Sequence, residues 1–379
     1  MSPADHRAAR LATRLAFLVA GFGMACWAPL VPFAKQRLAV DDGVLGLLLL
    51  CLGVGSVVAM LLTGVLSARY GSRPIIIGGG VGLAIVLPLL SIVATPFTLG
   101  LALLGFGAAL GSIDVAMNIH AVEVEHASDR PLMSGFHAQF SIGGFAGSAL
   151  MTVLLAMQAG AFISTLVCTA LMLVAMALAA PRLLRAARAE QAPLFVMPHG
   201  TVLLLAALAA IMFLVEGAML DWGALLLTDN NLVTATHSGI GYMLFSIAMT
   251  AGRLGGDAVV ARIGDRATMV GGSCIAIAGF VILLTGPVAI IALAGFLLIG
   301  LGASNIVPVL FRRAGAQRVM PVGLAVAAIT TTGYAGVLVG PAGIGFIAKL
   351  SNLQISFWLL TVLLGVVALC AGRVTAKDD

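Results

Sequence analysis

Gly64-Val65-Leu66-Ser67-Ala68-Arg69-Tyr70-Gly71-Ser72-Arg73 closes one long apolar run and opens the next, and its last six residues return in altered form as Ala261-Arg262-Ile263-Gly264-Asp265-Arg266. The offset is 193 residues. The same offset carries Gly46 onto Gly239, Gly143 onto Gly336 and Gly147 onto Gly340. One such match arises easily in a chain with 46 glycines, but several at one period mark an internal repeat.

Around these landmarks the chain is 61% hydrophobic and 9% charged, more apolar than a water-soluble domain can hide. A bilayer-spanning helix needs about 20 predominantly apolar residues. Apolar runs bounded by charge or Gly/Pro clusters fall near 14–36, 44–68, 74–95, 97–121, 131–157 and 160–180, then 200–228, 236–261, 267–286, 288–311, 319–348 and 352–372. Alternating strand-like patterns are missing, so each run satisfies its backbone as a helix. The expected fold is an all-α membrane protein of twelve transmembrane helices in two pseudo-symmetric halves. Residues 1–180 form the first half, 181–199 a linker and 200–379 the second half.

The net charge of +5 is spread one loop at a time, without the basic patch and interleaved aromatics of a nucleic-acid binder. With both termini cytoplasmic, sixteen Lys and Arg residues lie inside and three, Lys35, Arg37 and Lys349, lie outside. That asymmetry is the positive-inside pattern of an even number of spans. The five cysteines sit in or beside apolar runs with no metal-type spacing and read as packing residues. The first run is longer than a signal-peptide core and lacks a clear cleavage site, so it is read as the first helix. No HExxH, nucleophile elbow or phosphate-cradling GxxxxGK[ST] occurs, so an intramembrane enzyme is disfavoured and no cofactor is expected.

The segment 64–73 resembles the loop between helices two and three of the major facilitator superfamily, with Gly64, Arg69, Gly71 and Arg73 in the motif positions. The usual acidic residue is replaced by Ala68, and the repeat counterpart is Ala261. Further stretches resemble a fucose-permease-like bacterial inner-membrane branch of that family. They are Trp27-Ala28-Pro29, Asp114-Val115-Ala116-Met117-Asn118, Ser134-Gly135-Phe136-His137-Ala138, Glu216-Gly217-Ala218-Met219-Leu220-Asp221-Trp222, Gly252-Arg253-Leu254-Gly255-Gly256-Asp257 and Gly333-Tyr334-Ala335-Gly336. The resemblance implies a secondary transporter whose first, fourth, seventh and tenth helices line a central cavity. It does not name a solute.

Ionisable groups in hydrocarbon are costly and mark function by default. Asp114 and Asn118 share a face of the fourth helix. His137 enters the fifth helix at a comparable depth, and a carboxylate near an imidazole suits proton coupling. The alternative for Asp114 is a gate pair with Arg69 or Arg73. In the seventh helix Glu216 is the preferred proton or substrate residue, and Asp221 lies toward the outer end. Arg253 and Asp257 are spaced i, i+4, as an intrahelical ion pair requires. Trp27, Asn305, Thr331 and Tyr334 are cavity-lining candidates for a hydrogen-bonding solute. Arg262 and Arg266 repeat the loop motif.

The sequence therefore points to a monomeric, proton-coupled secondary transporter in a bacterial inner membrane. Its partners are lipid, protons and a small solute, with import favoured. The alternatives are an efflux antiporter for amphiphilic compounds and a transporter-like membrane sensor.

Overall fold

A computed structural model describes residues 3–40, 42–128, 130–184, 198–230, 232–233 and 240–376. No strand occurs among these residues. α1 (Pro3–Trp27) passes through a 3-10 turn at Ala28–Leu30, where Pro29 has no N–H to give, into the short α2 (Val31–Leu38). α3 (Asp42–Tyr70), α4 (Ser72–Ile92), α5 (Pro96–His126), α6 (Met133–Ala156) and α7 (Ala161–Ala179) follow. α8 (Gly200–Asp221) is broken at Trp222 and resumes as α9 (Gly223–Asp229). Then come α10 (Ile240–Thr285), α11 (Ala289–Ala303), α12 (Ile306–Ala316), α13 (Val322–Leu350) and α14 (Leu353–Thr375).

Among the described residues, ten helical segments are long and apolar enough to cross a bilayer, with α11 and α12 counted together. One of them, α10, leaves helical geometry at Gly264 (φ 80°, ψ 170°) and so consists of two spans end to end. α13, with its apolar stretch Val322–Gly336, brings the total to twelve. The exterior suits lipid rather than water: Phe145, Ile290 and Leu369 stay 80%, 77% and 84% exposed.

Helix ends overrun the apolar runs. α1 starts well before residue 14 because Ala9, Ala12, Thr13 and Ala16 form one buried stripe, with Arg7, Leu11 and Arg14 exposed opposite. α5 continues past residue 121 because Val122, Val124 and Glu125 are buried as well. The last carbonyls of α4 and the residue after it find an ionic cap: Arg37 donates to the oxygens of Leu90 (2.7 Å), Ser91 (2.5 Å) and Val93 (3.1 Å). Most of the expected linker, residues 185–197, lies outside the described residues, as do Gly239 and the side chains of Lys35 and Pro341.

The chain divides into two compact units. One comprises residues 1–129, 136–196 and 321–327, the other residues 130–135, 197–320 and 328–379. In the first, α5 packs on α3 and α4, and α7 on α4 and α1. In the second, α10 packs on α11 and α14, and α8 on α12 and α14.

The 193-residue repeat reappears in the packing inside each unit. A Cβ on Gly107 would overlap the carbonyl oxygen of Leu52, and one on Gly300 would overlap that of Phe245. Gly79 lies against Ala109 and Ile113, and Gly272 against Gly302 and Ile306. Every partner is displaced by the same 193 positions. Small residues let the helix backbones meet, and the two units use them at matching places.

Candidate functional site

The second unit holds an ion pair inside its spans. Val215, Gly217, Ala218 and Met219 bury the stretch of α8 around Glu216, whose Oε1 lies 3.3 Å from a terminal nitrogen of Arg253 on α10. The Arg253 side chain is 8% exposed and that of Glu216 22%. Arg253 Nε also donates to the carbonyl oxygen of Ser304 at 3.3 Å. Ser304 and Asn305 form the break between α11 and α12. Asn305 bridges that break to α10, donating through Nδ2 to the oxygen of Gly252 (3.0 Å) and to Ser304 Oγ (2.9 Å). The approach leaves no room on α10: a Cβ on Gly256 would overlap Asn305 Oδ1, and one on Gly252 would overlap Ser304 Oγ.

Asp257 has strong partners away from α10. Its Oδ1 and Oδ2 accept the backbone N–H groups of Ser134 and Gly135, each at 2.9 Å. The carboxylate thus caps the start of α6, where helix N–H groups lack intrahelical acceptors and negative charge is favoured. Spacing along α10 puts Arg253 one turn away; the backbone of residues 134 and 135 supplies these two donors.

Other residues in this unit are more dispersed. Asp221 is exposed where α8 ends, and the Trp222 ring lies about 3.1 Å from where a Cβ on Gly345 would stand. Tyr334 packs on Phe213 with ring centroids 6.0 Å apart, and Thr331 is partly buried on the same helix. Of the loop residues, Arg262 and Arg266 are exposed, whereas Asp265 is clamped by Arg312 and Arg313.

In the first unit Asp114 and Asn118 come together as their spacing requires. Asn118 Nδ2 donates to Asp114 Oδ1 at 3.2 Å and to the Asp114 carbonyl oxygen at 2.9 Å. They are 8% and 1% exposed. His137 meets Phe17 edge-on at 5.3 Å, and Ser141 Oγ donates to the His137 carbonyl oxygen at 3.4 Å. Trp27 is buried at the end of α1. Gly64 packs on Ala327. Arg69 lies over the Tyr70 ring, Gly71 makes the turn into α4, and Arg73 is partly buried just beyond it.

One buried polar group escaped the sequence reading. His120 is fully buried on α5, with Nδ1 3.0 Å from Thr13 Oγ1 and Nε2 accepting the Leu184 N–H at 2.9 Å. Thr13 Oγ1 gives its single proton to the Ala9 carbonyl oxygen at 2.8 Å. It must therefore accept from His120, which fixes a neutral imidazole protonated on Nδ1. The signal was available: an imidazole between Ile119 and Ala121 in an apolar run is as rare as the carboxylates singled out nearby.

Buried charges inside the spans of a polytopic helical protein are the furnishings of a secondary transporter. The chain belongs to the Major Facilitator Superfamily, which its residues 14–319 match. It is 49% identical over 367 residues to an uncharacterized MFS-type transporter of Yersinia pestis, covering 97% of this chain and 96% of that one. It is 31% identical over 359 residues to the membrane protein MosC of Rhizobium meliloti, covering 94% and 87%. Among solved structures, the human organic anion transporter MFSD10 aligns with a TM-score of 0.78 over 98% of this chain and all of its own, at 14% identity. The transporter FucP in its outward conformation aligns at 0.75 over 97% and 98%, at 15% identity. At such identities these two likenesses speak for the fold alone. The twelve-helix expectation stands, and the chain is a multi-pass membrane transporter.

Proposed function

We propose that the protein moves a small polar solute across a bacterial inner membrane by alternating access, driven by protons. Glu216 is the principal proton-binding group, with Asp114 and His137 as the coupling pair of the other half. The observation that carries this reading is the Glu216–Arg253 pair, 3.3 Å apart and inside transmembrane helices. A proton delivered to Glu216 cancels its charge and weakens its hold on Arg253; loss of the proton restores the pair. Such a pair has two discrete states, and a gradient-driven carrier needs an element of that kind. Asn305, Thr331, Tyr334 and Trp27 supply amide, hydroxyl and indole groups suited to a hydrogen-bonding solute. Residues 1–180 and 200–379 act as the two halves, joined by a linker over 181–199. Both termini face the cytoplasm and one chain is the working unit.

The test is proton flux in sealed proteoliposomes, read by a lumenal pH dye while sugars, amino acids, organic acids and cationic drugs are added in turn. The expected result is a saturable pH change with one solute class that is lost in Glu216→Gln, while exchange of the radiolabelled solute persists. An undiminished pH change in Glu216→Gln, Asp114→Asn and His137→Gln would overturn the assignment.

A further inference from the structure

Helix interiors give away few acceptors, because each carbonyl oxygen is taken by the N–H four residues on. One exception in the second unit is written into the sequence. Four residues beyond Ser304 stands Pro308, which has no N–H. The Ser304 carbonyl thus lacks its intrahelical donor, the helix breaks into α11 and α12 at this point, and Arg253 Nε donates to the freed oxygen at 3.3 Å. The repeat-related position of the first half differs: 193 residues before Pro308 stands Val115, and α5 runs unbroken from Pro96 to His126.

From this geometry we infer that Pro308 is a positioning residue for the buried ion pair, leaving the Ser304 carbonyl open to hold Arg253 against Glu216. A guanidinium is a planar fork with its donors in fixed directions. Fixing Nε on Ser304 aims a terminal nitrogen at Glu216 Oε1, the second bond of the set at 3.3 Å. Asn305 keeps the break seated on α10 through Gly252 and Ser304 Oγ. The chain is then Pro308 to Ser304 to Arg253 to Glu216, and only its last member takes the proton. The inference rests on the proposed role of Glu216 for its functional meaning, but not for its test.

The test reads the protonation of Glu216 directly, without a solute. Dicyclohexylcarbodiimide adds to a protonated, membrane-buried carboxyl group and leaves a stable N-acylurea, located by mass spectrometry of the peptide that contains Glu216. Membranes holding wild type, Pro308→Ala and Arg253→Met are labelled across a pH series, with Glu216→Gln as the assignment control. Pro308→Ala restores an N–H that competes for the Ser304 oxygen. Labelling at neutral pH is expected to rise several-fold in Pro308→Ala, approach the Arg253→Met level, and persist to higher pH than in wild type. Pro308→Ser restores the same N–H and serves where the alanine variant fails to elute as a monodisperse peak in detergent. Unchanged labelling in both proline variants, with a rise in Arg253→Met, would overturn the inference. No rise in any of the three would also overturn it, because Arg253 would then not govern Glu216. Failure of the proposed function shows itself separately, as intact proton flux in Glu216→Gln.

Discussion

Gly71 and Gly264, 193 residues apart, hold the same backbone conformation: φ 81° and ψ 163° at the first, φ 80° and ψ 170° at the second. This region of φ/ψ space is open to glycine and nearly closed to every other residue, at roughly 1–3 kcal/mol each. The two turns are therefore expected to be equally intolerant. Gly71→Ala and Gly264→Ala should each lower stability by about 1–3 kcal/mol in a detergent thermal-unfolding assay. Gly78→Ala is the control, since a Cβ there meets nothing within 4 Å and the backbone is helical. A control as damaging as the turn variants would sink the explanation.

Asp257 accepts two backbone N–H groups at the start of α6, one on each oxygen. Hydrogen bonds to a charged acceptor contribute about 1.5–3 kcal/mol each. Asp257→Ala should therefore destabilise by about 3 kcal/mol or more. Asp257→Asn should cost roughly half as much, because its amide nitrogen faces a donor instead of accepting from it. Equal midpoints for the two variants in thermal unfolding would mean that the carboxylate does not act as a two-pronged cap.

The same residue shows where sequence reasoning stops. Period and hydropathy reveal twelve spans and their repeat because helix length and bilayer thickness are both local constraints. Asp114 with Asn118 was legible for the same reason, four residues on one helix. The hold of Asp257 on the N–H groups of Ser134 and Gly135 was not, because these are 123 and 122 residues away and are backbone groups, which leave no mark in composition. Arg253 found Glu216 across 37 residues, and its second acceptor is the Ser304 carbonyl freed by Pro308. Nothing in residue types alone says which carbonyl an arginine will reach. Asn305 was legible as a polar group in an apolar run, but not that its Nδ2 donates to Gly252 and Ser304 and so bridges a broken helix to its neighbour.

His120 offers a test of the tautomer deduced from its neighbours. Thr13→Val keeps the shape of the side chain but removes the acceptor for Nδ1–H, while Nε2 stays committed to Leu184. A buried donor left unpaired costs about 1–3 kcal/mol. His120→Phe strands the Leu184 N–H as well as the Thr13 oxygen and should cost more than Thr13→Val. Thermal unfolding of the two single variants and the double variant checks this. Because Phe has already removed the bond that Thr13→Val breaks, the double variant should fall no lower than His120→Phe alone. Additive losses would show that Thr13 and His120 do not act on each other.

The Glu216–Arg253 pair calls for a cycle of the same form with the opposite expectation for the double variant. Removing one member of a buried pair leaves the other charge without compensation, at about 3–5 kcal/mol. Replacing both removes the desolvation cost along with the attraction, and is often neutral or better. Glu216→Gln and Arg253→Met should each lower the unfolding midpoint in detergent, Glu216→Gln the more, because Arg253, 8% exposed, cannot shed its charge, whereas Glu216 left alone takes up a proton. Glu216→Gln/Arg253→Met together should recover most of the loss. It should not recover proton-driven transport, since the group that takes the proton is gone. A double variant as unstable as the sum of the two singles would mean that each charge is held mainly by other partners, and that the 3.3 Å contact is incidental to both folding and coupling.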